Sequence, residues 1–313
     1  MLRRNERDTC GQRSSSLEMS KVGSFWSRFT KLLKAPERDH LIQPEKQNNR
    51  SLEIHTAGMT NAGSVRDVNE DAVSIVHPTS PDALKQRGVL AIVADGMGGA
   101  QGGQCASSTA VDVISRLYYS NQDPPPLALQ RALNEANSII YKMSKRDPKL
   151  EGMGTTCVAL ALTPAEAWVA WVGDSRLYLV RDGQIFQLTE DHSVVAALVR
   201  DGLITSQEAA LHQERHVLTR ALGTKPEGNI SVWDHSMPVR PGDRFLLCTD
   251  GLHDLLSDED LLNLAATGPL EQASAALIEK ANHQGGYDNI SSVLLEVCVA
   301  QVVSTVSATG MLG

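Results

Sequence analysis

The sequence predicts an α+β fold, because short strands and helices occur in separate groups along the chain. Nine apolar runs rich in β-branched residues have the length of strands. They lie near 71–76, 88–94, 155–162, 167–173, 176–181, 184–188, 229–234, 243–249 and 290–298. Helical periodicity occurs at 102–118, 126–145 and 269–282. Since helices do not follow every strand, layered sheets and helices fit better than a strictly alternating parallel sheet.

Local signals define the ends of several elements. Residues 257–260 (Ser-Asp-Glu-Asp) form a capping box and place acidic side chains in the first turn of a helix. Three prolines at 124–126 precede the helical pattern at 126–145. Residues 181–184 (Arg-Asp-Gly-Gln) lie between two alternating runs and predict a type I′ hairpin turn. This turn is a useful control, because an Asp-Gly pair by default indicates only a turn.

The charge of the chain is unevenly distributed. The net charge is −8, yet residues 1–50 carry 11 Lys and Arg against 6 Asp and Glu, a net +5. The remainder therefore carries 18 basic against 31 acidic residues, a net −13. An acidic body argues against nucleic acid as a partner and favours a domain that gathers carboxylates around cations.

Cysteine usage and hydropathy indicate the compartment. The five cysteines (Cys10, Cys105, Cys157, Cys248 and Cys298) are scattered and include no Cys-x-x-Cys pair. Neither a zinc ribbon nor a disulfide framework is therefore predicted, and a reducing cytoplasm is the simplest setting. No stretch approaches the roughly 18 uninterrupted apolar residues of a transmembrane helix. The basic N-terminus has no apolar segment typical of a secretory signal.

Composition divides the chain into an extension at residues 1–50, a main domain at 51–300 and a tail at 301–313. The extension is polar and basic and ends just before the first plausible strand. Within it, residues 24–35 predict a short amphipathic helix that ends before Pro36. This helix fits a membrane-surface or partner-docking segment. A helix packed loosely on its own domain, or an unstructured tail, is the simpler interpretation and the favoured one.

Two Asp-Gly pairs, Asp95-Gly96 and Asp250-Gly251, each follow a buried apolar run. Desolvating a carboxylate is unfavourable unless it is paired or bound to a metal. A third acid, Asp288, directly precedes another apolar run. These strand-end acids predict one shared cluster of hard oxygen ligands suited to Mg²⁺ or Mn²⁺. Because glycine allows close backbone approach, the Gly96 carbonyl is a candidate ligand as well.

Two further acidic segments leave alternatives open. Glu70 and Asp71 come just before a strand and after Arg66; they fit either a metal site or a solvated turn. Asp174 and Arg176 lie between two strands. They fit either another ligand with its charge partner or a tight turn with a surface ion pair.

Several other chemistries are excluded by missing motifs. The chain contains neither a P-loop, nor a G-x-S-x-G nucleophile elbow, nor a cysteine followed by arginine at the spacing of cysteine phosphatases. His212 and His216 stand four residues apart, but glutamine replaces the glutamate that follows the first histidine in H-E-x-x-H. A polar surface segment is therefore a better interpretation of this stretch than a zinc site.

Taken together, these segments resemble the PP2C (PPM) family of metal-dependent protein serine/threonine phosphatases, specifically its bacterial-type branch. The resemblance covers about residues 58–297 and rests on eight motifs in the family's order. The motifs are Val65–Asp71, Ala94–Gly99, Gly152–Thr156, Val172–Arg176, Leu188–Ser193, Leu218–Gly223, Thr249–Leu252 and Asp288–Ile290.

The resemblance implies a central antiparallel β-sandwich flanked by helices on both faces, a four-layer α-β-β-α arrangement. It also implies two Mn²⁺ or Mg²⁺ ions at one end of the sandwich and a third, weaker site. Asp95 would bridge the two ions, and Asp174 would share the third ion with Asp250. The implied metal ligands are Glu70, Asp71, Asp95, Gly96, Asp174, Asp250 and Asp288.

By the same resemblance, Arg66 and Asp95 are the catalytic residues, and Arg66 binds the substrate phosphate. A hydroxide bridging the metals would attack phosphorus in line, without a covalent enzyme intermediate. Residues 195–218 correspond to a variable flap beside the site. Met97 replaces a histidine proposed as the general acid in some eukaryotic members. His192 is a candidate replacement, but a structural hydrogen-bonding role fits it better.

The sequence therefore predicts a cytoplasmic, monomeric, metal-dependent phosphatase of bacterial type that removes phosphate from Ser and Thr of proteins and opposes a Ser/Thr kinase. Nucleic acid and a transmembrane segment are not expected. Two alternatives belong to other classes. A non-catalytic phosphoprotein-binding scaffold would have lost metal ligands, and none is lost here. A two-metal nuclease is disfavoured by the acidic body.

Overall fold

Two antiparallel sheets face each other in this computed structural model, which describes residues 52–120 and 122–300. The first sheet contains, in spatial order, β1 (Leu52–Asn61), β13 (Ile290–Val299), β12 (Arg244–Cys248), β8 (Arg176–Arg181) and β9 (Gln184–Gln187). The second contains β10 (Ser231–Val232), β7 (Glu166–Val172), β6 (Cys157–Leu162), β3 (Val89–Ala94) and β2 (Ala72–Val76), with β11 (Met237–Pro238) also paired to β7. A small third sheet pairs β4 (Gly96–Met97) with β5 (Gly154–Thr155).

Helices cover the outer faces of the two large sheets. The described helices are α1 (Pro81–Arg87), α2 (Ala100–Tyr118), α3 (Pro125–Arg146), α4 (Val194–Arg200), α5 (Ser206–Ala210), α6 (Asp250–His253), α7 (Asp258–Ala265) and α8 (Leu270–His283), with a short 3₁₀ helix at Pro148–Leu150. Helices α2 and α3 pack on the second sheet, and α7 and α8 pack on the first. Because β3 contacts β12 and β13 between the sheets, the arrangement has four layers, and the predicted α-β-β-α fold is confirmed.

This layering explains the composition of the central strands. Every residue of β3, β6 and β12 is buried. A strand in the middle of a sandwich that also carries helices is covered on both faces, so it needs apolar residues at consecutive positions. The outer strand β1 is covered less completely and contains exposed polar residues.

The predicted helices and turn are present. Helices α2, α3 and α8 cover the three segments with helical periodicity, and Ser257 caps α7 through the predicted box with Asp260. The turn between β8 and β9 has positive φ at Asp182 (52°) and Gly183 (72°), as a type I′ turn requires.

Some strand predictions were too long, for local reasons. The run at 155–162 is divided: Thr155 pairs with Gly96 and Leu222, whereas β6 begins at Cys157. The run at 229–234 contains only the two strand residues of β10, and Asn229 at its start has a positive φ (45°), which is not a strand conformation. The predicted amphipathic helix at 24–35 and the tail at 301–313 lie outside the described residues. Within those residues, no helix has the length and apolar character needed to cross a membrane.

Candidate metal centre

The strand register places the predicted acids at one end of the sandwich. In the second sheet, Asp71 precedes β2 and Asp95 follows β3, and the antiparallel pairing of Ala72 with Ala94 puts both at the same edge. In the first sheet, Asp250 follows β12 and Asp288 precedes β13, at the edge where Cys248 pairs with Ser292.

Asp71 connects the two sheets at this edge. Its Oδ2 accepts hydrogen bonds from Thr249 Oγ1 at 2.9 Å and from Ser291 Oγ at 2.7 Å, both in the first sheet's loops and strands. Its other oxygen, Oδ1, is buried and has no hydrogen-bond partner among the described residues. Asp71 is therefore held in a fixed orientation with one free carboxylate oxygen.

The backbone of Asp95 is fixed by the two threonines that follow Gly154. The Asp95 amide donates to Thr156 Oγ1 at 3.0 Å. The Asp95 carbonyl accepts from the Thr156 amide at 2.9 Å and from Thr155 Oγ1 at 2.8 Å. Thr156 Oγ1 also lies 2.7 Å from Ser175 Oγ, next to Asp174. These hydroxyls link the Asp95 turn to the loop that carries Asp174.

The Gly96 backbone approaches its neighbours more closely than any other residue type permits. A Cβ atom at Gly96 would lie 2.2 Å from the Gly103 carbonyl oxygen and 2.5 Å from the Glu70 carbonyl oxygen. Gly103 is similarly close to the side chain of Glu70, since a Cβ there would lie 2.4 Å from Glu70 Oε1. The two glycines let Glu70 pack directly against the turn that contains Gly96, so both lie in the same site.

Asn289 fastens the loop that contains Arg66 and Glu70. Its Oδ1 accepts from the Glu70 amide at 2.8 Å, and its Nδ2 donates to the carbonyls of Ala62 and Val68, each at 3.0 Å. Across this junction, Arg66 Nη2 donates to Asp288 Oδ2 at 2.8 Å. The side chains of Arg66 and Asp288 remain about half exposed, at 50% and 41%.

Asp174 lies buried in the turn between β7 and β8. His253 Nε2 donates to the Asp174 backbone carbonyl at 3.1 Å, which joins this turn to the end of α6. Burial raises the pKa of Asp174 to about 7, and repulsion from Asp250 contributes to the same shift. The influence of Asp250 indicates that the two carboxylates share one site.

The other clustered acids show the same electrostatic pattern. Burial is the largest cause of a raised pKa at Glu70, Asp71, Asp95 and Asp250, and it raises the pKa of Asp71 to about 7. For Asp95, repulsion from Asp250, Asp71 and Asp174 adds to this effect. Carboxylates that repel one another at a partly dehydrated site are unfavourable unless protons or cations offset their charge.

The residues present fit a divalent metal site. One carboxylate oxygen of each of Glu70, Asp71 and Asp250 is buried and lacks a hydrogen-bond partner within 52–120 and 122–300. Oxygen-only donor sets of this kind suit Mg²⁺ and Mn²⁺. The structure thus brings Glu70, Asp71, Asp95, Gly96, Asp174, Asp250 and Asp288 to one end of the sandwich, with Arg66 beside them.

His192 is built into the scaffold. Its Nδ1 accepts from the Gly173 amide at 3.1 Å, and its Nε2 lies 3.1 Å from Ser231 Oγ. The ring also stacks on Trp171, with centroids 6.0 Å apart. Burial lowers the pKa of His192 to about 4. Because both ring nitrogens of His192 are engaged and the ring is neutral, a structural hydrogen-bonding role fits His192 better than a role as general acid.

The predicted flap contains two short helices, α4 and α5, and its ends are joined by a bridge between Ser193 and Leu218. His216 of this segment lies beside the acidic cluster: its Nδ1 is 3.7 Å from Asp254 Oδ2. Ligand atoms of His216, Asp250 and Asp254 all lie within 4.8 Å of one another.

Sequence reasoning assigned no role to several residues that build the site. Asn289, Thr156 and Ser175 lie inside the recognised motifs, so their positions were a usable signal even though no function was assigned to them. His216 was considered only as part of the pair with His212 and was interpreted as polar surface, and Asp254 gave no signal. Their proximity depends on how the flap folds back, which local patterns do not encode.

Comparison with known proteins places this geometry among phosphatases. The protein phosphatase 2C family model matches residues 64–293. The serine/threonine phosphatase stp of Listeria monocytogenes serotype 4b (strain F2365) is 35% identical over 249 residues, which cover 78% of this chain and 96% of that protein.

Solved structures give the same result. The Mycobacterium tuberculosis serine/threonine phosphatase PstP/Ppp superposes with a TM-score of 0.68 at 34% identity, covering 78% of this chain and 98% of that one. The catalytic domain of PstP in complex with two manganese ions superposes with a TM-score of 0.67 at 34% identity, covering 79% of this chain and 100% of that one.

Proposed function

This chain belongs to the protein phosphatase 2C (PP2C) family, and we propose that its carboxylate cluster holds the metal ions with which it removes phosphate from Ser and Thr of proteins. It is a metal-dependent serine/threonine protein phosphatase, and the family uses Mn²⁺ or Mg²⁺. The roles of individual residues in this chain are part of the proposal.

One observation carries these assignments: acids from five separate loops converge at one end of the sandwich, with the half-exposed Arg66 beside them. Glu70 and Asp71, Asp95, Asp174, Asp250 and Asp288 reach the same edge through the strand register. A scaffold without catalytic function would have no need to keep these mutually repelling carboxylates together.

Asp95, Asp250 and Asp288, together with the Gly96 carbonyl, would hold two divalent cations, and Glu70 and Asp71 would complete the second site. Asp174 and Asp250 would hold a third, weaker ion. When bound, these ions supply hydroxide near neutral pH and offset the negative charge of the phosphoryl group. The hydrogen bonds to Asp71 and to the Asp95 backbone keep the ligand oxygens oriented toward the site.

Arg66 would bind and orient the phosphate. Its planar guanidinium offers paired donors that match phosphate oxygens better than the single ammonium of lysine. The hydrogen bond to Asp288 raises the pKa of Arg66 further, so the group remains cationic at any working pH. Because half of its side chain is exposed, a substrate phosphate can reach it from solvent.

The leaving alcohol must receive a proton from a group other than Met97 or His192. Met97 has no proton to donate, and His192 is neutral with both ring nitrogens engaged. The proton therefore comes from water or from another group at the site.

Partners and setting complete the proposal. The phosphatase would act in the cytoplasm as a monomer and reverse the work of a Ser/Thr kinase. Four cysteines among the described residues are free thiols, which agrees with a reducing compartment: Cys105, Cys157, Cys248 and Cys298. Cell fractionation and light scattering on the purified chain test location and oligomeric state.

The activity is tested by hydrolysis of a phosphothreonine peptide and of p-nitrophenyl phosphate, with Mn²⁺, with Mg²⁺ and with a chelator. We expect turnover only when metal is present, and loss of nearly all turnover in Asp95→Asn. Full activity in chelator would overturn the assignment of the cluster as a metal centre.

A further inference from the structure

Two large apolar side chains next in sequence to the paired Arg66 and Asp288 are exposed. Val65 directly precedes Arg66 and is 62% exposed, and Tyr287 directly precedes Asp288 and is 66% exposed. Exposing an aromatic ring and a β-branched side chain to water is unfavourable, and apolar groups beside a binding site commonly contact the ligand. We call Val65 and Tyr287 the apolar rim.

The loops that carry the rim are locked to each other. The Ser64 amide donates to the Gly286 carbonyl at 2.8 Å. At Gly63 (φ +79°), a Cβ would lie 2.2 Å from the Asp288 carbonyl oxygen, so the two backbones approach too closely for a side chain. With Asn289 bound to both Ala62 and Val68, the rim lies on a fixed part of the fold. An apolar surface that is already ordered loses little entropy on binding.

The ring of Tyr287 lies against the backbone of Gly285. A Cβ at Gly285 would lie 2.3 Å from Tyr287 Cζ, so only glycine permits this placement. The ring thus rests on the chain with most of its surface open to solvent. A tyrosine in this position offers a broad apolar contact with few rotatable bonds.

We propose that the apolar rim binds an apolar side chain close in sequence to the phosphorylated Ser or Thr of the protein substrate. This inference rests on the proposed function, since it takes Arg66 as the residue that binds the phosphate. It makes Tyr287, with Val65, a specificity-determining residue.

Distances along a peptide support this occupant. When the phosphate lies at Arg66, the substrate backbone passes within one side-chain length of that residue. An extended chain advances about 3.3 Å per residue, so positions one to three residues from the phosphorylated one reach the adjacent rim. Tyr287 is bonded in sequence to Asp288, whose carboxylate contacts Arg66 at 2.8 Å.

The charge around the rim favours a peptide over an anionic surface. The charge of Arg66 is offset by its ion pair with Asp288, Asp67 follows Arg66 in sequence, and the chain outside residues 1–50 carries a net charge of −13. An anionic membrane would be repelled by this surface, whereas an apolar peptide side chain has no charge to repel.

The test compares pairs of phosphothreonine peptides. The two members of a pair differ only in having Leu or Ser at one position, and the pairs cover the positions one to three residues from phosphothreonine on either side. The measured quantity is the ratio of kcat/KM for the Leu peptide to that for the Ser peptide. Because both peptides are measured on one enzyme preparation, the ratio does not depend on the fraction of active or folded protein.

We expect the wild type to prefer the Leu peptide by about 5-fold to 10-fold at one or more positions, the effect of covering a modest apolar area. Tyr287→Ser should bring the ratio close to 1, whereas Tyr287→Phe should keep it. Val299→Ser is the matched control and should also keep it, because Val299 is an exposed apolar residue at the opposite end of β13.

Equal kcat/KM for the two peptides at every position in the wild type would overturn the inference while leaving the phosphatase function intact. The same holds if Tyr287→Ser keeps the preference. Failure to hydrolyse either peptide would instead contradict the proposed function itself. A concentration-dependent dimer that Tyr287→Ser abolishes would assign the rim to a second copy of the chain and would also overturn the inference.

Discussion

Arg66 donates a hydrogen bond from Nη2 to Asp288 Oδ2 at 2.8 Å, so the proposed phosphate-binding cation and a proposed metal ligand are direct partners. The pair joins the loop before β2 to the loop before β13. With the proposed roles, the pair would couple substrate binding to the metal centre, because the guanidinium that Asp288 orients is the one that a phosphate would approach.

Replacing Arg66 should weaken binding of the phosphorylated substrate more than it affects turnover. Arg66→Ala removes a charge-assisted donor pair, and we expect KM for a phosphothreonine peptide to rise by about 10-fold to 100-fold. Arg66→Lys should recover only part of this loss, since lysine cannot make the paired contact. Steady-state kinetics measure both effects.

Arg116→Ala is the matched control for this experiment. Arg116 is exposed like Arg66, at 66% of its side chain against 50%, and is paired with Asp112 of its own helix rather than with a residue of the metal centre. Its KM should stay within about 2-fold of the wild type. An unchanged KM in Arg66→Ala would show that the phosphate is bound elsewhere.

Replacing His192 should reduce the stability of the fold but should not change how kcat depends on pH. His192→Ala leaves the Gly173 amide unpaired and removes the stacking on Trp171, so the free energy of unfolding should fall by about 2–4 kcal/mol. The pH dependence of kcat should keep its shape in the folded variant. If instead the ionisation assigned to the general acid disappeared, His192 would be catalytic after all.

Metal binding should stabilise the protein more at high pH than at low pH. Burial raises the pKa of both Asp71 and Asp174 to about 7, well above the value of 3.8 for the unfolded chain. At a pH between 3.8 and about 7, Asp71 and Asp174 are protonated in the folded, metal-free protein but ionised in the unfolded chain. The contribution of these two carboxyl groups to the free energy of unfolding of the metal-free protein is therefore greatest at low pH and is lost as the pH rises through about 7.

Cations offset the same negative charge and compete with those protons. The increase in Tm on adding Mn²⁺ should consequently be larger at pH 8 than at pH 5, and Mn²⁺ affinity should fall as the pH is lowered below about 7. Thermal unfolding with and without Mn²⁺ across this range provides the measurement. An equal gain at every pH would mean that the clustered acids do not bind the ion.

Asp174→Asn should abolish Mn²⁺ binding at the third site and leave binding at the other two sites intact. Asp174 contributes to the cluster beside Asp250 from the turn between β7 and β8, whereas Asp71 and Asp95 lie at the ends of β2 and β3. Calorimetric titration with Mn²⁺ should show loss of the weakest binding event and retention of the two tighter ones. Loss of all binding in a folded Asp174→Asn protein would place this residue among the main ligands instead.

The sequence predicted those parts of the fold that depend on local patterns. The strand β3 is a continuous apolar run, α8 follows helical periodicity, and the turn at Asp182 and Gly183 follows from turn chemistry. Short helices such as α4 and α5 were not predicted, because so few residues carry no clear period. The pairing of β1 along the whole length of β13 was not predicted either, since it joins segments from opposite ends of the domain.

The candidate site was predictable to a similar degree. Asp95, Asp250 and Asp288 were predicted from carboxylates next to apolar runs. The ordered motifs then decided between the alternatives that were open for Glu70, Asp71, Asp174 and Arg66. The hydrogen bonds of Asn289 and the approach of His216 to Asp254 depend on the three-dimensional packing of loops. No spacing along the chain encodes them.

Direct measurement of Mn²⁺ binding to the purified full chain tests the central claim, that the strand-end acids form the metal centre. Asp95→Asn is compared with Asp182→Asn, which changes the aspartate of an Asp-Gly pair that only forms a hairpin turn. Calorimetry should show that Asp182→Asn binds at least two Mn²⁺ ions like the wild type, whereas Asp95→Asn loses both tight sites. Wild-type Mn²⁺ binding in a folded Asp95→Asn protein would contradict the account.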